Sequence, residues 1–302
     1  MSAVRGGTFQ TLAGPPDLAP GPDAGAAIQR ATTVTVSNFT LDTYEVSVAR
    51  FRRFWEAGHP APGTAVAYPG GHSLSPGAVV EPGRDSADAG VARCNWSVTA
   101  NTAESREEHP INCVDRATAL AFCVWDGHGA GRLPTRAEWE FAARGVERVG
   151  LPRARDWPWG TAGDTDDVCA RGRLGSLVCG SRPGGVDPVG TRPVGMAVAG
   201  SAYQPYGGFY DLIGNVGEWT ADLRIAGIDV STCWERETDA GMLTDPLCAR
   251  LMGTETANEG YLNGASIATS RLSQANPGAR SGSGSALAGS YDTGFRCART
   301  VP

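Results

Sequence analysis

Eight cysteines carry the most chemistry in this sequence: Cys94, Cys113, Cys123, Cys169, Cys179, Cys233, Cys248 and Cys297. None forms a Cys-x-x-Cys pair and no histidine stands at zinc-finger spacing from them, so they do not spell a zinc site. An even number at wide spacing favours four disulfides and an oxidising compartment over buried free thiols. The four histidines, His59, His72, His109 and His128, are scattered through loop-like sequence and specify no iron facial triad. Every basic residue is an arginine, which excludes Schiff-base and P-loop lysine chemistry. No Gly-x-Ser-x-Gly elbow occurs, and no Gly-x-Gly-x-x-Gly follows a strand. Two carboxylates, Asp211 and Glu218, flank a tight glycine turn, where they could hold a hard cation or simply bond local amides. The Asp164–Asp167 cluster reads as a solvated loop. Asn38-Phe39-Thr40 and Asn95-Trp96-Ser97 match glycosylation acceptors.

The elements that must position these groups are short. Residues 4–10 read as a first strand, 12–31 as a Pro/Gly/Ala loop, and Val34, Val36, Phe39 and Leu41 as a resumed strand pattern. Ser47 is an N-cap for a helix with Phe51, Phe54 and Trp55 on one face, stopped by Gly58. Residues 59–93 form a Pro/Gly-rich excursion. Asp115 caps a second helix that buries Leu120, Cys123 and Val124. Thr135-Arg136-Ala137-Glu138 is a capping box opening a third helix, with Trp139, Ala142 and Ala143 inward and Gly145 at its end. Beyond residue 150 the chain reads as turn and loop, with apolar pieces at 208–219 and 294–298, and the Ser281–Ser285 run reads as a flexible loop. No internal repeat or domain linker is visible, so residues 1–302 read as one domain.

Hydrophobic residues make up 41% of the 302 residues, enough for a substantial core, while 41 glycines and 20 prolines demand many turns. The net charge of −6, with no basic stripe, argues against nucleic acid or an anionic membrane as partner. Nothing reaches the ~18 apolar residues of a membrane helix. No signal peptide is visible either, so with the disulfide reading the expectation is an exported protein whose precursor carries the signal.

Three segments occur in order: Gly131-Arg-Leu-Pro-Thr-Arg-Ala-Glu-Trp-Glu-Phe-Ala-Ala-Arg-Gly145, Tyr210-Asp-Leu-Ile-Gly-Asn-Val-Gly-Glu-Trp219 and Gly294-Phe-Arg-Cys-Ala298. With the opening Val4-Arg-Gly-Gly-Thr-Phe9, Tyr44-Glu-Val-Ser47 and His109-Pro-Ile-Asn-Cys-Val-Asp115, they resemble the signature blocks of the formylglycine-generating enzyme, or sulfatase-modifying factor, family. The resemblance implies a C-type-lectin-like α+β fold, loop-rich and low in regular structure. It also implies a Cys123–Cys297 disulfide; for the rest, proximity suggests Cys94–Cys113, Cys169–Cys179 and Cys233–Cys248. It implies a calcium site as well, at the Asp211 side chain, the Gly214 and Val216 carbonyls and the Glu218 carboxylate. Gly217 replaces the tryptophan usual in that block, and the ligands of a second family calcium site are missing around 169–180.

The family's oxidation of cysteine to formylglycine requires two thiolates holding copper(I), placed after a Gly-Gly-Ser turn and before Gly-Phe-Arg-Cys. The matching stretch here, 264–274, has no cysteine, and none occurs between Cys248 and Cys297. Thr269 and Gln274 fall nearest the two positions, so no copper is expected. What the resemblance leaves is a groove lined by Ser266, Thr269, Arg271, Gln274 and Arg280, whose arginines suit carboxylate or sulfate. The expected function is a non-catalytic, exported domain binding a peptide, glycan or surface protein. The alternatives are an oxidase of altered chemistry, like the pyoverdine-maturation relatives, and a retroelement-diversified ligand-display protein.

Overall fold

The computed structural model describes residues 1–11, 32–83, 94–97, 106–144, 157–159, 165–174, 179, 190–195, 208–224, 233–234, 243–249, 259–269, 283–285 and 289–301. The predicted 12–31 loop, Gly145, Asp164, Arg271, Gln274 and Arg280 lie outside these residues.

Local signals place the helices. In α1 (Val48–Glu56) the Ser47 side chain accepts from the Arg50 N–H, and in α2 (Arg116–Asp126) the Asp115 carboxylate accepts from Thr118. In α3 (Arg136–Arg144) the capping box closes in both directions: Glu138 N–H donates to Thr135 Oγ1 at 3.1 Å, and Thr135 N–H to Glu138 Oε2 at 2.9 Å. Each cap satisfies amides that a helix start otherwise leaves orphaned. A fourth helix, α4 (Thr165–Arg171), corrects the loop reading for residues 165–167.

The expected first strand is two strands. Ser2–Val4 pairs antiparallel with Phe39–Leu41, whereas Gly7–Thr11 pairs with Thr32–Val36 in another sheet. Gly6 makes the switch possible: a Cβ there would sit 2.3 Å from the Val36 carbonyl oxygen. The first sheet continues through Ala298–Thr300 to Gly131–Arg132, so the chain's two ends meet in one sheet. A second sheet orders Ser283–Ser285, Glu259–Asn263, Gly217–Arg224 and Thr293–Gly294. It corrects two expectations, because Gly217–Arg224 extends well past Trp219 and Ser283–Ser285 is a paired strand rather than a flexible loop. Leu243–Thr244 adds to the Thr32–Val36 strand in parallel. Within the predicted 59–93 excursion, Val66–Ala67 and Ser73–Leu74 pair, and Val66, Tyr68 and Leu74 enter the core.

Among the described residues the core forms three clusters. One joins α1 and α2 through Phe51, Phe54, Phe122, Trp96 and Phe295. Another packs α3 on the sheets through Trp139, Phe141, Phe9, Trp234 and Tyr261. The third gathers Trp157, Val168, Cys169, Leu174, Cys179, Ile213 and Ala265. Four disulfides tie the layers together: Cys94–Cys113, Cys123–Cys297, Cys169–Cys179 and Cys233–Cys248. The pairing implied by the resemblance and the three suggested by proximity are all formed. The architecture is a mixed α+β fold, short in helix, loop-rich and stapled.

Candidate functional site

The Asp211–Glu218 turn is built from left-handed backbone. Asp211, Gly214 and Asn215 have φ of 58°, 91° and 64°, and a Cβ on Gly214 would lie 2.4 Å from Arg173 backbone atoms. The structure directs the two predicted carboxylates differently. Glu218 points into the core, where Arg296 Nη2 donates to its Oε1 at 2.6 Å, Arg296 Nε to its Oε2 at 2.7 Å, and Trp139 Nε1 also to Oε2 at 2.7 Å. Those three bonds take most of its acceptor capacity. Asp211 accepts the Gly195 N–H at 2.6 Å through Oδ2.

Glu45, which the sequence reading did not include among the site residues, joins them. It is buried, accepts from Asn215 Nδ2 at 2.6 Å and from the Val216 N–H at 3.2 Å, and bonds no guanidinium. Burial first, then the negative charges of Asp211 and Glu218, holds its carboxyl well above the usual range; Arg296 opposes this in part. A Tyr-Glu-Val segment 166 residues from Asp211 carries no local sign of this meeting; only its place in the resembling block pointed at it.

Three buried carboxylates sense one another against the single guanidinium of Arg296, an imbalance that a hard cation would relieve. Yet among the described residues no three acidic, histidine or cysteine side chains converge into a ready-made metal cluster. Electrostatic coupling extends further than ligation, and the contact geometry decides the matter for Glu218, which serves Arg296. Glu45 and Asp211 are the acidic groups of this turn that stand outside the Glu218–Arg296 pair.

At the expected groove, Ser266 and Thr269 are buried and closed on each other. Ser266 N–H donates to Thr269 Oγ1 at 2.8 Å and Thr269 N–H to the Ser266 carbonyl at 3.0 Å. Ser266 Oγ donates to Asp292 Oδ2 at 2.9 Å and accepts from Ala268 N–H at 3.1 Å. Neither hydroxyl is presented to a ligand. An open concavity of about 570 Å³ lies elsewhere, beside the C-terminal ends of α1 and α2, lined among others by Arg53, Pro60, Pro62, Trp125, Asp126 and His128. Asn95, a candidate glycan acceptor, is instead a buried hub whose Nδ2 donates to the Pro110 carbonyl and to Thr191 Oγ1, both at 2.8 Å.

All eight cysteines are consumed by the four disulfides, and no free thiol exists. Fold and site together define a disulfide-stapled α+β domain with a buried acidic turn beneath its Gly-Asn-Val segment. Residues 1–301 match the model of the sulfatase-modifying factor enzyme 1-like domain, and the chain belongs to that family. It is 35% identical over 241 residues to the formylglycine-generating enzyme of Thermomonospora curvata, covering 74% of this chain and 71% of that protein. Against the mouse formylglycine-generating enzyme it is 31% identical, spanning 64% of this chain and about half (51%) of that longer protein. The inactive C-alpha-formylglycine-generating enzyme 2 of Bos taurus is 30% identical over 237 residues, 73% of this chain and 70% of its own. Among solved structures, Treponema denticola variable protein 1 superposes with a TM-score of 0.57 at 18% identity, over 99% of this chain and 94% of that one. PvdO from Pseudomonas aeruginosa does so with 0.55 at 17% identity, over 99% and 93%. At those identities the likeness is one of fold.

Proposed function

We propose that this chain is a non-catalytic member of its family, an exported domain that binds a peptide, glycan or protein ligand. One observation carries the reading: every cysteine is locked in a disulfide, so no thiolate pair is available to hold copper(I). Thr269 stands nearest one of the positions expected for the family's thiolates, and its hydroxyl accepts the Ser266 N–H while the Ser266 hydroxyl donates to Asp292. The similarity to a relative named inactive supports the same reading. Four disulfides suit an oxidising compartment, and among the described residues no helix is long and apolar enough to cross a membrane. Ligand recognition then falls to the concavity beside Trp125 and His128, where an aromatic face lies among polar groups.

Calcium in this reading is structural. It would be held by Glu45, Asp211 and the Gly214 and Val216 carbonyls, adding positive charge to a buried turn where three carboxylates face one guanidinium. Calorimetric titration of calcium into chelator-treated protein should show binding that Glu45→Gln weakens; equal binding by that variant removes Glu45 from the site.

The main test has two arms. Purified protein is incubated with copper(I), reductant, oxygen and a sulfatase-type cysteine peptide, and the peptide mass is followed. Glycan and peptide arrays are probed in parallel with wild type and Trp125→Ala. No peptide oxidation, together with array binding lost in Trp125→Ala, is expected. Formylglycine in the peptide would sink the proposal.

A further inference from the structure

Behind the acidic turn the same asparagine assembles a site of opposite sign. The Asn215 N–H donates to the Arg173 carbonyl at 2.8 Å. Its side chain clamps Arg192 from both ends, Oδ1 accepting the Arg192 N–H at 2.9 Å and Nδ2 donating to the Arg192 carbonyl at 3.3 Å. One residue thus fixes two arginine backbones side by side. Arg106 reaches the same segment: its Nη1 donates to Asn95 Oδ1 at 2.9 Å and lies 3.6 Å from where a Cβ on Gly190 would be. His109 Nδ1 shares a 2.9 Å hydrogen bond with Thr191 Oγ1 in the intervening position.

The charges of Arg173 and Arg192 are not answered as those of other arginines in the protein are. Arg50, Arg52, Arg132, Arg144 and Arg296 each bond a carboxylate. Among the described residues no carboxylate bonds Arg173 or Arg192. Arg173 makes one hydrogen bond, Nη2 to the Gly190 carbonyl at 3.3 Å, and its Nε is buried with no partner at all. Burial and then the neighbouring Arg192 disfavour its charge. Burial, Arg106 and Arg173 together hold His109 down to about 4, so at neutral pH the imidazole adds no charge but can still offer a ring N–H. Like charges fixed together with a buried orphan donor cost stability unless something answers them. An anion answers both the repulsion and the orphan.

We propose that Arg173 and Arg192, flanked by Arg106 and His109, form a binding site for a tetrahedral oxyanion, sulfate or phosphate, free or as the terminal group of a ligand. Planar guanidinium forks converging from separate segments match such an oxyanion's several acceptor oxygens, which a single carboxylate partner would not fill. The site is independent of whether the domain is catalytic, and none of its four residues bonds the hydroxyls of Ser266 and Thr269.

The test is a titration of inorganic sulfate at constant ionic strength, balanced with sodium chloride, reading the His109 imidazole by NMR. Bound sulfate should raise the His109 midpoint saturably by roughly half a pH unit or more, because a nearby anion favours the imidazolium. Arg192→Gln and Arg173→Gln should each weaken the sulfate dependence by about tenfold or more, the loss of one charged fork. Arg192→Gln alone decides if Arg173→Gln does not fold. Methyl sulfate in a parallel titration distinguishes a site for ester-borne sulfate, which it saturates, from one for the free dianion, which it does not. A response that chloride reproduces, or one unchanged in Arg192→Gln, overturns the proposal.

Discussion

Arg296 and Glu218 form a forked ion pair at 2.6 and 2.7 Å with both side chains fully buried. The pair joins two of the segments by which the family is recognised. The remaining donors of the same guanidinium satisfy the carbonyls of Asp42, Thr43 and Tyr210, so one arginine neutralises a core carboxylate and ties off two loops. Removing one partner strands the other. Arg296→Met should therefore cost about 3–5 kcal/mol in urea denaturation. Arg296→Met with Glu218→Gln should recover part of that loss, since the uncompensated charge is gone. A double variant no better than the single would mean the loss lies in the loop carbonyls instead.

The disulfides should differ in worth according to the loops they close. Cys123–Cys297 spans 174 residues and joins α2 to the last strand, whereas Cys169–Cys179 spans 10. Chain entropy assigns about 5 kcal/mol to the first and about 3 kcal/mol to the second. Paired alanine substitutions, compared by urea unfolding, should keep that order. Equal losses would show that native-state packing around the sulfurs dominates loop closure.

These two relationships also mark what the sequence makes legible. Ser47, Asp115 and the Thr135/Glu138 box act within one helical turn, so the three helix starts can be read directly from residue types. The strand Gly217–Arg224 is different. Its polar residues Glu218, Thr220 and Asp222 alternate with Trp219 and Ala221, yet both faces are buried. Their partners, Arg296, the Tyr261 carbonyl and Trp234, come from distant segments, so nothing local announces that polar positions lie in the core. The acidic turn is half legible for the same reason: Asp211 and Glu218 sit in one block, but Glu45 arrives from far upstream, and Arg296 claims Glu218. Ser266 looked available as a residue type and is closed by Thr269 and Asp292.

Of the two glycosylation sequons, only one should be used. Asn38 is exposed at a strand turn, where its Oδ1 accepts the Gly6 N–H. Asn95 is buried and its amide nitrogen already donates twice, so a glycan there is incompatible with the folded hub. Folded protein secreted from a eukaryotic host should carry glycan at Asn38 and none at Asn95. Peptide mass spectrometry before and after glycosidase treatment reads this directly. Glycan on Asn95 in folded material would overturn the hub's placement in the core.

His109 gives stability an acid-sensitive component whose sign follows from its surroundings. Its ring faces Thr191 and the guanidiniums of Arg106 and Arg173, and burial together with those two charges lowers it from 6.5 to about 4. In the unfolded chain the imidazole takes up a proton as the pH falls through 6.5, while in the folded protein it does so only near 4. The unfolded state thus binds more protons across that window, and the contribution of His109 is full above it and lost as the pH falls through it. The ring is only about half buried, so solvent screening reduces the size of the effect without changing its sign. Carboxylates titrate over the lower part of the same range, which makes the difference between two proteins the useful quantity. Urea midpoints of wild type and His109→Gln, measured in chloride buffers without sulfate or phosphate, should converge as the pH is lowered from 6.5 towards 4. Parallel curves would show that the imidazole is already protonated in the folded state, and that Arg106 and Arg173 do not act on it as their placement requires.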